Sequence, residues 1–242
     1  MGAAIRRHLA PARYRITTVT RNPKRPDDVQ WDGKTLGPWT ETLDGADVVI
    51  NLAGRRVHCR YNEANLKEMM DSRVDSTRVL GSAIRQCARP PAVWLQASTA
   101  TIYQHTFGAA NDEVTGVLGG DEPGAPRVWN YSIQIAKNWE AELDAAERPH
   151  TRRVALRAGI MMGVDQASAF EILSGLARRG LGGRLGSGRQ YVSWIHEVDF
   201  VRALDFLIES DLAGPVNVCA PRPLPQVEFA RELREAWGGR VG

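Results

Sequence analysis

Short runs of β-branched and apolar residues alternate with stretches whose apolar positions recur every three to four residues, over nearly all of the 242 residues. Few folds accept that rhythm. Residues 15–20 (RITTVT), 47–52 (DVVINL), 92–97 (AVWLQA), 153–158 and 216–219 read as strands. Strands apolar along their whole length suit a sheet covered on both faces. Residues 2–10, 65–86, 131–146, 169–179, 198–208 and 226–237 carry the helical period or good helix formers. Parallel strands need crossover connections and these are helices, so the pattern predicts an α/β fold with a doubly wound parallel sheet.

Composition narrows the function classes. With 31 Lys and Arg against 28 Asp and Glu, the net charge is only +3, and the basic residues are dispersed. No stripe follows a phosphate backbone, so nucleic acid is not the expected partner. Cys59, Cys87 and Cys219 are far apart, without a CxxC pair or a nearby His at ligand spacing, and neither a disulfide framework nor a metal site is expected. No run reaches the roughly 20 apolar residues of a membrane span, and the first residues lack a signal-peptide core. A cytoplasmic protein without membrane partners is the expectation.

In open α/β sheets, ligands sit outside the carboxyl ends of the strands. Four places there carry small or polar residues: Thr20-Arg21, Asn51 to Gly54 (NLAG), Ser98 to Tyr103 (STATIY) and Ala158 to Gly163. Arg21 stands where a dinucleotide enzyme selects its adenosine ribose. An arginine there favours a 2′-phosphate, so NADP(H) is expected over NAD, the alternative being one more solvated arginine. Asn51, Leu52, Ala53 and Gly54 would let a flat cofactor approach the main chain.

NLAG, STATIY, Lys137 in YSIQIAKNWE and GSGRQYVSWIHEVD (186–199) together resemble the extended short-chain dehydrogenase/reductase superfamily, in its NAD-dependent epimerase/dehydratase group. More narrowly they resemble the epimerase family proteins related to the vertebrate short-chain dehydrogenase family 39U member. The resemblance covers essentially the whole chain. It implies a Rossmann-like domain over residues 1–163, then a 164–242 segment that mixes a small substrate lobe with late Rossmann elements. It puts Thr99, with Ser98 as neighbour, at the catalytic hydroxyl position, and Lys137 on the nicotinamide ribose. Ala158, Gly159 and Ile160 would line the nicotinamide.

Three departures stand out. The tyrosine expected four residues before Lys137 is Ile133. Tyr131, six residues before it, points about 120° away on a helix. Tyr103, a water or the substrate itself are the other sources of a proton. An arginine that grips diphosphates in nucleotide-sugar enzymes is replaced by Val192, which disfavours such substrates, and Arg189 is not its assumed equivalent. Finally, the sequence opens at Gly2 as if at the last glycine of a phosphate loop, so the first strand of the sheet is not among these residues and related chains continue past residue 242. A truncated start and a degenerate relative are the competing explanations.

Arg157 is expected in an ion pair or on carbonyls, His196 and Asp199 as caps of the next helix, and tryptophans including Trp129, Trp139 and Trp194 in packing. Helices 65–86 and 131–146 resemble a pair that forms a four-helix homodimer interface in relatives. The resulting expectation is an NADP(H)-dependent oxidoreductase or epimerase-like enzyme acting on an oxygen-bearing carbon of a small molecule. Its rival is a non-catalytic dinucleotide-binding protein.

Overall fold

The computed structural model describes residues 1–9, 13–146, 150–165 and 168–238; residue 10 of the first expected helix and residues 239–242 lie outside it. In chain order the elements are α1 (Gly2–His8), β1 (Val19–Thr20), β2 (Val29–Gln30), β3 (Val48–Asn51), α2 (Glu63–Gln86), β4 (Val93–Thr99), α3 (Arg127–Ala145), β5 (Arg152–Ala158), β6 (Ile160–Met162), α4 (Ala169–Arg178), β7 (Tyr191–Val192), β8 (Trp194–His196), α5 (Glu197–Glu209), β9 (Gly214–Val218), β10 (Leu224–Pro225) and α6 (Gln226–Ala236). The main sheet has the order β3-β4-β5-β9 and every pair in it is parallel. The expected α/β class is what the chain adopts.

Alternation along β4 explains why both faces are covered. Val93 and Leu95 point into a core with Ala4 and Ile5 of α1 and Phe200 and Leu204 of α5. Trp94 points the other way, among Val79, Leu80 and Ile84 of α2 and Leu143 of α3. Asn62 caps α2, accepting from the Asn65 amide, and Ser168 caps α4 through the Glu171 amide. These are the side-chain oxygens that helix N-termini favour. His196 caps α5 as expected, its Nδ1 accepting from the Val198 amide at 3.3 Å.

One expected strand is shorter. Of residues 15–20 only β1 is extended and paired, with β2 in a separate parallel two-stranded sheet. β-Branched residues favour a strand only where a neighbour can pair with them; residues 15–17 belong to no strand pairing, and Thr18 joins through its carbonyl alone, which accepts from the Val29 amide at 2.8 Å. β1 and β2 are not hydrogen-bonded to β3, which ends the main sheet. Between them lies a cleft of about 1720 Å³, walled by residues of α1, β1 and β3. Two further pairs, β6 with β8 and β7 with β10, stand apart from the main sheet and carry the chain toward α4 and α6.

α1 is seated by charge as well as by Ala4 and Ile5. Arg7 reaches Asp165 and the buried Glu197, both at 2.6 Å, and His8 Nε2 lies 3.2 Å from Glu197. Burial pushes the Glu197 carboxyl up, but His8 and Arg7 outweigh it, so it titrates below its ordinary 4.5. A lowered folded value stabilises the fold above the ordinary carboxylate range, and that contribution disappears as the pH falls through and below it. Melting curves between pH 7 and 3 are therefore expected to drop more steeply for the native chain than for Glu197→Gln. Parallel curves would dissociate Glu197 from acid stability.

Candidate active site at the carboxyl ends of the sheet

The seven residues expected near the cofactor's adenosine and phosphates, namely Gly2, Thr20, Arg21, Asn51, Leu52, Ala53 and Gly54, all line the cleft between β1 and β3. Lys24 and Arg25 line it too, beside Asp28, whose carboxylate accepts from both of their amides. Asn51 is only 4% exposed. Its Nδ2 donates to Gln96 Oε1 at 3.0 Å and its Oδ1 accepts from the Ala53 amide at 3.0 Å. Asn51 thus shapes the NLAG turn from beneath.

Gly54 is a glycine for a packing reason. A Cβ there would stand 3.3 Å from the Arg73 side chain. The Arg73 guanidinium donates to the Met69 and Arg55 carbonyls at 2.9 and 3.1 Å, and lies 5.1 Å from the centre of the Trp139 ring. Arg73 was not singled out in the sequence, since nothing in its local spacing distinguishes it from other helix arginines.

At the end of β4, the hydroxyls divide sharply. Ser98 is buried and donates to Glu140 Oε1 at 2.5 Å. Tyr103 donates to Asn217 Oδ1 at 2.8 Å and accepts from Arg157 at 2.9 Å. Both therefore belong to a buried polar network. Thr99 is half-buried, and among the described residues its Oγ1 bonds only Thr101, through the hydroxyl at 3.0 Å and the amide at 3.2 Å. Thr101 is exposed, so the Thr99 hydroxyl faces the open end of the sheet.

Arg157 makes the expected ion pair. It grips Glu140 at 2.7 and 3.0 Å while its guanidinium packs 4.9 Å from the centre of the Tyr103 ring. Burial opposes the charge, yet Glu140 and Tyr103 outweigh it and raise the arginine's pKa above its ordinary value.

On α3, Ile133, Lys137 and Glu140 share one face, the spacing of successive turns. Ile133 is 0% exposed. Its side chain would touch a Cβ at Gly119 or Gly120, at 3.0 and 3.2 Å, so the place of the expected tyrosine is packed shut beneath this turn. Gly120 holds φ +109°, a conformation that a side chain strains, and the Lys137 ammonium stands 3.5 Å from where its Cβ would be. Tyr131 packs instead with Leu66, Met69 and Ile135 against α2, away from Lys137, which agrees with the azimuth argument.

Ala158 is buried at the end of β5, and Gly159 packs against the backbone of Ser193 and Trp194 with 3.0 Å for a hypothetical Cβ. Ile160 begins β6 and is 47% exposed. None of these three, nor Lys137, lines the β1–β3 cleft. Among the described residues no cluster of His, Cys, Asp and Glu could hold a metal ion, and no helix is long and apolar enough to cross a membrane.

The sequence profile of the NAD dependent epimerase/dehydratase family matches residues 1–219. The chain is 33% identical over 245 residues to the bovine (Bos taurus) epimerase family protein SDR39U1, covering 98% of this chain and 77% of that protein. To the human (Homo sapiens) SDR39U1 it is 31% identical over 247 residues, covering 100% and 78%. The crystal structure of human epimerase family protein SDR39U1 (isoform 2) with NADPH superposes with a TM-score of 0.85 at 30% identity, covering 99% of this chain and 77% of that one.

Proposed function

The chain belongs to the NAD-dependent epimerase/dehydratase family, and on that premise we propose that it is an NADP(H)-dependent oxidoreductase acting on an oxygen-bearing carbon of a small molecule. The observation that carries this reading is the convergence of Gly2, Thr20, Arg21 and the NLAG turn on one cleft between β1 and β3, where Arg21, Lys24 and Arg25 stand together. The residues fit the group. Arg21, exposed at the end of β1, would meet the 2′-phosphate, Gly2 at the first turn of α1 the pyrophosphate, and residues 51–54 the flat part of the adenosine half. Ala158, Gly159, Ile160 and Lys137 would flank the nicotinamide half.

When bound, NADPH supplies the hydride. Thr99 Oγ would hydrogen-bond the substrate oxygen, being the one hydroxyl of Ser98, Thr99 and Tyr103 that is not committed to the Glu140–Arg157–Asn217 network. With Ile133 sealed, the proton for that oxygen would arrive from solvent, and the Lys137 ammonium would supply positive charge at the Gly120 turn. A second reading, a dinucleotide-binding protein without chemistry, is favoured by one observation, the complete burial of Ile133.

Thermal-shift titration decides the cofactor. NADPH at a hundred times its dissociation constant is expected to stabilise the chain by about 2.7 kcal/mol. Arg21→Asp is expected to weaken NADPH about tenfold or more while leaving NADH nearly unchanged, because it removes a charged contact to the 2′-phosphate alone. No shift with NADPH would end the oxidoreductase reading. A shift without turnover of any carbonyl compound would favour the non-catalytic one.

A further inference from the structure

An aromatic corner, assembled from three separate segments, stands beside the Gly119–Gly120 turn that Lys137 faces. The Tyr103–Leu118 bridge closes an excursion, residues 104–117, that carries His105 and Phe107. Trp129 lies in the first turn of α3, and Arg189 precedes β7. The His105 ring meets Phe107 at 4.5 Å and 79°, and Trp129 at 5.4 Å and 83°. The Arg189 guanidinium lies 4.8 Å from the centre of the Phe107 ring. Trp129, expected to serve in helix packing, is thus half-buried in a contact with a loop, and Arg189 is brought into this cluster from 82 positions beyond Phe107.

Several facts give the corner the character of a binding site. Phe107 leaves 50% of its surface exposed, so part of the ring is open to a ligand. Aromatic rings attract a further ring stacked offset or edge-on, so an exposed aromatic cluster suits an aromatic ligand. Arg189 has no carboxylate within 4 Å among the described residues, so its charge is available.

The loop is also fixed in place. Gln104 donates through its amide to the Val117 carbonyl at 2.8 Å and accepts from Asn111 at 3.2 Å. The Gly120 amide donates to Glu122 at 2.6 Å, beside His105. Trp129, Ile133 and Lys137 follow one another at successive turns of α3, so the corner lies about 12 Å along the helix from Lys137. His105 is six residues past Thr99.

We propose that His105, Phe107, Trp129 and Arg189 form the substrate-selecting site of this protein, and that it takes an aromatic carbonyl compound bearing an anionic group. The ring would enter the aromatic corner, and the Arg189 guanidinium would hold the carboxylate. The substrate role rests on the oxidoreductase reading. Ring binding does not, and can be measured without turnover.

The test uses three probes on the full chain: benzoylformate, with ring and carboxylate; acetophenone, with ring alone; and pyruvate, with carboxylate alone. Saturation-transfer NMR reads binding with and without NADPH, and NADPH consumption reads turnover. Benzoylformate is expected to bind tightest. Phe107→Ala should weaken benzoylformate and acetophenone about tenfold and leave pyruvate unchanged, whereas Arg189→Gln should weaken the two acids about fivefold and leave acetophenone unchanged. Both side chains are exposed, so melting temperatures near the native value are expected to confirm folding. Pyruvate binding as tightly as benzoylformate, absence of saturation transfer to the phenyl protons, or indifference of benzoylformate to Phe107→Ala would each overturn the proposal. Phenyl binding without an NADPH shift would leave this site standing and sink the oxidoreductase reading alone.

Discussion

Replacing Thr99 with alanine is expected to lower kcat about 10²–10³-fold, the usual cost of losing one donor aimed at the reacting oxygen. Stability should hardly change, because among the described residues the Thr99 hydroxyl bonds only Thr101, at the exposed end of the sheet. Thr99→Ser, which keeps the donor, should retain most of the rate. Steady-state NADPH consumption, paired with NADPH titrations of each variant, separates chemistry from cofactor binding. A Thr99→Ala variant as fast as the native chain would remove Thr99 from the mechanism. Loss of NADPH binding in parallel with the rate would assign it to the cofactor instead.

The largest loss of stability is expected from Glu140→Ala. The Arg157 side chain is 7% exposed and Glu140 13%, and the carboxylate also accepts from Ser98. Breaking a buried pair by removing one member strands the other charge, at a cost of about 3–5 kcal/mol. For a chain of this length that corresponds to roughly 10 °C in Tm. Because Arg157 also donates to the Tyr103 hydroxyl, the loop that begins at Gln104 should loosen in the same variant, visible as faster amide exchange over residues 104–118. A Tm within a few degrees of the native value would show that solvent reaches Arg157 and that the network is not buried in solution.

The alternation of strand and helix was legible because burial on two faces writes itself into the sequence as apolar runs and helical periods. The positions of Arg21 and residues 51–54 followed from the same logic, since strand ends locate themselves. Residues 15–18 were over-read: their β-branched side chains state a preference, and pairing partners decide. The three-residue strands β6 and β8 are too short to leave a period. Ser98 reads in the sequence as the neighbour of Thr99, and only the fold shows Glu140, 42 residues away, taking its proton-bearing oxygen inward. Similarly, neither Phe107 nor Arg189 carries a local signal of the other. The absent tyrosine was legible at Ile133; its burial under Gly119 and Gly120 was not.

The Arg73 side chain, wedged between Gly54 and the Trp139 ring, gives the NLAG turn an optical reporter. The Trp139 indole N–H donates to Thr77 Oγ1 at 3.0 Å, and the Arg73 cation lies over its ring. Any ligand that displaces the turn moves that cation and changes the indole's emission, which makes the difference spectrum between the native chain and Trp139→Phe a label-free gauge of events at residues 51–55.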